Sequence, residues 1–264
     1  MVNKIIKFMT YWVHTWGMWL PIQLAGIYCL YLLFFQSPNY WWVYSSIGYV
    51  CLMMIGVSAC YHRLLSHRSF VTGKWRRRFM LWCAIMSGQG SPIYWAVIHR
   101  GYHHKKADTA KDIHSPRHGF WHSYLLWMFK IKTDVLNTKY VLDLISDEEI
   151  VFLHKNYILI FWINHLLFFL IDPTLWLWFL MFPAFITFHS FALNNSINHW
   201  TKIGYRNYAT ADDSINVPWL WPLILGETWH NNHHAAPHKS NFGKQKWWEI
   251  DPTSWVINVF RSDR

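Results

Sequence analysis

Nine of the 17 histidines fall into tight groups: "HRLLSH" (His62, His67), "HRGYHH" (His99, His103, His104), "NNSINH" (His199) and "HNNHH" (His230, His233, His234). Residues three and four apart on a helix share a face. His230 meets His233 and His234 in that way, and His99, at i, i+4 and i+5 from His103 and His104, is read as close to one face. Asn195 and His199 stand at i, i+4. Nine imidazoles exceed the three or four ligands of one zinc, so two metal ions are the natural count. Imidazole suits iron, zinc, copper and nickel. The Glu-x-x-His pairs of soluble di-iron bundles are missing. A nitrogen-rich, carboxylate-poor metal pair points to oxygen activation. The plain alternatives are a structural metal knot or surface histidine patches, and patches would not recur at each span end. The other eight histidines (His14, His114, His118, His122, His154, His165, His189, His238) read as structural or solvated.

These groups must be carried by helices in a membrane. Of the 264 residues, 53% are hydrophobic, 20% aromatic and 14% charged, against about 25% charged in a soluble domain. A spanning helix needs roughly 20 apolar residues. Four candidates run over about 19–35, 41–60, 153–171 and 175–193. The joins "QSPNY" and "DPT" are short and nearly uncharged. Residues 61–78 hold six Lys and Arg, and 100–139 hold eight. The positive-inside rule therefore predicts that both termini and every histidine group are cytoplasmic. Lys4 and Lys7 open the chain, with no cleavable signal. The net charge of +10 fits an anionic bilayer face, and no nucleic-acid partner is expected. Residues 79–98 are long enough to cross, but "SGQGSP" interrupts them. A crossing would also part the first histidine group from the second. A broken helix dipping into the cytoplasmic leaflet, its backbone covered by protein, is the expectation. Cys29, Cys51, Cys60 and Cys83 lie in apolar runs and read as buried thiols. The whole chain, 1–264, is read as one domain.

"HRLLSH", "HRGYHH", "NSINH" and "HNNHH", in this order, resemble the histidine boxes of the membrane fatty acid desaturases, over roughly residues 20–260. The second box is one residue longer than the family's HRxHH. The resemblance implies an all-α integral membrane fold, with four transmembrane helices under a cytoplasmic helical cap. It also implies two irons held by His62, His67, His99, His103, His104, His199, His230, His233 and His234, with Asn195 holding a water. The cofactors would be those irons and dioxygen, with electrons from a separate carrier, ferredoxin or cytochrome b5. The reaction would place a cis double bond, at the delta-9 position, in a saturated acyl chain. Asp108 and Asp112 are candidates to orient ligand imidazoles. Gln89, Trp95 and Trp200 are candidates to line an acyl tunnel.

"GQGSPIYW" and "DIHSPRHGFWHS" look more like acyl-lipid than acyl-CoA enzymes. Val97 and Ile98 stand where animal acyl-CoA desaturases carry an Arg-Asp pair, so a lipid-linked substrate is expected ahead of acyl-CoA. "KWRRR" (74–78) reads as a topogenic flank. The rivals are a membrane di-iron hydroxylase of alkyl, sterol or carotenoid substrates, and a membrane metal-binding or transport protein. A transporter would carry ionisable groups at mid-membrane depth, where only His165 and His189 are candidates.

Overall fold

The structure, a computed structural model, describes residues 14–36, 38–131 and 136–262; Lys4 and Lys7 lie outside them. The described chain is helical, and its β-pairing is limited to isolated bridges. Four helices are long and apolar enough to cross a bilayer: α1 (Trp16–Phe35), α2 (Trp41–Ser66), α5 (Glu148–Ile171) and α6 (Pro173–Ile197). Between them come α3 (Lys74–Met86) and the short α4 (Pro92–Val97). The last elements are α7 (His230–Ala235) and α8 (Pro252–Phe260).

α2 and α6 are the inner pair. Their most apolar windows are 61% buried, against 28% for α1 and α5. The outer pair turns Leu24, Ile27 and Phe34, and Leu159, Leu166 and Leu170, outward, as lipid-facing surfaces do. The tight joins follow from local chemistry. Asp172 caps the start of α6, accepting from the Thr174 N–H, and Pro173 needs no partner for its nitrogen.

All four spans run past the lengths that apolarity alone marks out. α2 continues to Ser66 and so carries His62; α6 continues to Ile197 and carries Asn195. In the turns added to α2, His62 and Arg63 are buried and both meet Glu227.

The segment 79–98 is broken where "SGQGSP" interrupts it. α3 ends at Met86, and Gly88 and Gly90 take φ of +71° and +98°, a region that side chains with a Cβ rarely enter. Ser91 then caps α4, accepting from the Tyr94 N–H, with Pro92 at the first position. Ser87, Gly88, Gly90 and Ser91 are buried or nearly so, so protein covers the irregular backbone.

Part of the "KWRRR" flank is used inside the fold. Arg77 bonds Asp147 (2.6 Å) and Glu149, and Arg78 also bonds Glu149. Asp147 in turn caps α5 by accepting from the Glu149 and Ile150 N–H groups. Charge from α3 thus fastens the start of α5, which the sequence reading, treating the whole flank as topogenic, did not anticipate.

Candidate metal centre

All nine clustered histidines converge, and they do so in two groups. His62, His67, His99, His104 and His233 form one; His103, His199, His230 and His234 form the other. The division has a simple cause. Neighbouring residues on a helix point about 100° apart. His103 and His104 therefore serve different groups, and so do His233 and His234. His230 and His234, one α-turn apart, serve the same one.

His62 with His67, and His99 with His104, are five residues apart. In an α-helix such pairs diverge by about 140°. Both lie where the helix is wound in the wider π form, over Val50–Ser66 and Ile98–His104. The His67 N–H reaches the His62 carbonyl at 3.1 Å, an i to i+5 bond. Widening the turn is the way a helix absorbs one extra residue, and π-turns concentrate at functional sites. The longer second box is accommodated in this way, and His99 keeps its place, its Nε2 2.8 Å from that of His67. Gly101 makes room: a Cβ there would stand 2.3 Å from the Tyr140 ring.

The Nε2 atoms face inward. In the group of five, His233 Nε2 is 2.9 Å from His62 Nε2 and 2.8 Å from His104 Nε2. In the group of four, His199–His230 and His103–His234 stand at 3.0 and 3.2 Å. Two nitrogens each ~2.1 Å from one ion, at right angles, would be about 3.0 Å apart.

Carboxylates hold the opposite ring nitrogens. Asp108 accepts from His199 Nδ1 (2.8 Å) and Asp212 from His234 Nδ1 (2.9 Å), while Glu227 lies 2.7 Å from His62 Nδ1. Asp112 is 3.7 Å from His103 Nδ1. A neutral imidazole that donates through Nδ1 has only a lone pair at Nε2. These lone pairs meet in the middle of each group, an arrangement that fits a cation. Burial first, and then the neighbouring imidazoles, hold His67, His99, His104, His230 and His233 well below the usual histidine range. They are thus kept in the neutral form that binds metal. Burial disfavours the charged Asp108 and Glu227 carboxylates, but their histidine partners, with Arg63 at Glu227, outweigh it and bring each down to about 2.

A largely apolar cavity opens beside both groups. Its wall includes His62, His99, His230, Asn195, Gln89 and Trp95. Trp95 stacks on His99 with ring centroids 4.9 Å apart, and its Nε1–H donates to Gln89 Oε1 at 3.3 Å. Ile98 is also in the wall.

Other expected placements differ. Trp200 is about half exposed, packs beside Phe120 and is not in the cavity wall. It follows the end of α6, where the chain turns away. Asn195 and His199 are not paired along one helix, because α6 stops at Ile197; His199 reaches the group of four and Asn195 the cavity.

Three residues were missed by sequence reasoning. Glu227 and Asp212 are the carboxylates behind His62 and His234. His114, read as structural, is buried 4.6 Å from the His103 ring and lines the cavity. Glu227 sits three residues before His230, a weak local signal; Asp212 has none. His165 accepts from Trp176 Nε1–H, and His189 bridges Tyr124 and Gln23, so both of these span histidines join helices together.

The fatty acid desaturase family model matches residues 39–258. The chain belongs to the fatty acid desaturase family. This desaturase is 32% identical over 257 residues to an sn-1 stearoyl-lipid 9-desaturase of Anabaena variabilis, covering 95% of this chain and 90% of the relative. It is 32% identical over 259 residues to delta-9 acyl-lipid desaturase 2 of Arabidopsis thaliana, covering 95% and 82%. An acyl-CoA 5-desaturase of Anemone leveillei is 31% identical over 264 residues, covering 94% and 78%. The desaturase is therefore a fatty-acyl oxidoreductase of the membrane, and its histidine groups are able to hold metal.

Proposed function

We propose that this desaturase uses dioxygen to insert a cis double bond at the 9 position of a saturated acyl chain esterified in a membrane lipid. The observation that carries the reading is the pair of histidine groups, five and four, opening onto one apolar cavity. His62, His67, His99, His104 and His233 would hold one iron, and His103, His199, His230 and His234 the other. Asn195 would hold a water beside the second. The chemistry that two irons supply when bound is the activation of dioxygen toward an unactivated methylene pair.

The protein's own part is positional. Asp108, Asp212 and Glu227 hold the Nδ1 side of their imidazoles and aim the Nε2 lone pairs inward. The cavity removes the acyl chain from water, and Trp95, held by Gln89 and stacked on His99, fixes the wall nearest the first group. Ile98 places an apolar side chain where a CoA phosphate would ask for a cation or polar group, which supports a lipid-linked substrate. The 9-desaturases acting on lipids among its relatives support the same assignment.

We further propose that the histidine groups and both termini face the cytoplasm, with 36–40 and 172–174 outside, on the charge asymmetry of the loops. Thiol labelling of intact cells should reach cysteines placed in 36–40 and spare those beside His104.

Lipid analysis after expression in a host without desaturases tests the function. The expected product is a cis-9 monoenoic chain in glycerolipid. Hydroxylated chains with no new double bond would overturn the assignment. A double bond formed only in acyl-CoA would overturn the substrate half alone.

A further inference from the structure

We propose that the basic surface around Tyr102 and Tyr140 is the docking face for an acidic one-electron carrier protein, and that electrons enter the centre there through His67 and His104. The inference rests on the desaturase reading. A methylene pair that becomes a double bond gives up two hydrogens, hence two electrons and two protons. Reducing one dioxygen to two waters takes four of each. The other two electrons must come from a carrier and the other two protons from solvent.

Of the first group, His62, His99 and His233 are buried, while His67 and His104 are partly exposed. These two rings are 4.4 Å apart. Cations follow each in the chain. Arg68, with 65% of its side chain exposed, comes after His67, and Lys105 after His104. The Lys105 ammonium lies 5.0 Å from the Tyr140 ring and that of Lys139 lies 5.3 Å from the same ring. Lys106 stands 4.3 Å from the Tyr102 ring, and the two tyrosines are 6.3 Å apart. Asp143, the carboxylate tied into this cluster, is already engaged by Arg100 at 2.7 Å and Arg68 at 3.1 Å.

The aromatic faces hold the lysine heads in place while leaving their charge available, which lowers the ordering cost of docking. A concentrated positive field also steers an acidic partner. Carboxylates lie instead beside the second group. Its partly exposed member, His234, donates to Asp212, and the adjoining Asp213 pairs with Arg117.

The test compares the full-length parent, reconstituted in lipid nanodiscs, with a Lys105→Glu, Lys106→Glu, Lys139→Glu variant. The probes are the soluble haem domain of cytochrome b5 and, in parallel, a plant-type ferredoxin. Binding is read directly by surface plasmon resonance at low and high salt. The carrier that binds the parent should bind the variant about tenfold more weakly or worse at low salt, with the gap closing at high salt. Its KM should rise, while turnover with a small chemical reductant stays unchanged. Lys239→Glu with Lys244→Glu, elsewhere on the surface, should leave binding alone. If the triple variant folds poorly, the Lys→Gln version gives the same reading at smaller amplitude. Unchanged carrier binding by the variant, or no binding of either carrier to the parent, would overturn the proposal. So would a raised KM for stearoyl-CoA instead, which would assign the lysines to CoA phosphates. Binding needs no turnover, so a protein that forms no product with any reductant would count against the desaturase reading alone.

Discussion

A His233→Ala variant is expected to be inactive and to retain about one iron per chain, the loss falling on the group of five. His233 Nε2 faces both His62 and His104, so its removal takes out the nitrogen that joins the first box to the second. His103→Ala should do the same to the group of four. Glu227→Gln provides the contrast. It leaves every Nε2 in place and keeps an oxygen for Arg63 and Ser58 while weakening the hold on His62 Nδ1, so iron affinity should fall by roughly 10–100-fold. Activity should return as iron is raised. Iron analysis after dialysis against graded chelator separates the two behaviours. Equal iron in parent and His233→Ala protein would remove His233 from the ligand set.

The second large effect is on folding. Replacing Arg63 by Met should destabilise the protein by about 3–5 kcal/mol, a large share of the ~5–15 kcal/mol that holds a typical domain together. Arg63 is fully buried, bonding Asp251 at 2.6 Å and Glu227 at 2.9 Å, with its guanidinium 3.8 Å from the Phe242 ring centroid. It ties the end of α2 to the chain before α7 and the start of α8. Without it, two carboxylates lie buried, and Asp251 loses its countercharge. The variant should give little monodisperse protein in detergent and unfold at lower temperature. Adding Glu227→Gln and Asp251→Asn removes the stranded charges, and folding should recover while iron binding by the first group stays weak. A stable single variant would show that the network is not needed for assembly.

The histidine clusters were legible because their spacing is local. The chain carries them on short segments, and spans bounded by Trp and polar turns bring those segments to one end of the bundle. How they divide was not legible from face-sharing at i, i+3 and i+4. Adjacent histidines diverge, and the π-turns bring i, i+5 pairs together, so residues that share a segment serve different groups. Asp108 and Asp112 could be named as candidates because they follow the second box closely; Asp108 meets His199 at 2.8 Å, while Asp112 stays 3.7 Å from His103 Nδ1. Asp212 reaches His234 across 22 residues, and Glu227 reaches His62 across 165; only the folded chain makes those pairs. The failure of Trp200 has the same origin. Nearness to a box in sequence does not imply nearness to the cavity once α6 has ended. The break at "SGQGSP" was readable because its glycines take positive φ, a property of the residue type.

In the proposed reaction, nine histidines hold two irons that perform the desaturation. The most direct measurement of this is the metal content of purified, active protein, taken together with the activity of preparations loaded with a single metal. The expected result is two irons per chain, X-ray absorption showing nitrogen and oxygen neighbours without sulfur, and activity that follows iron occupancy. Full activity with zinc alone, or with one iron per chain, would contradict it.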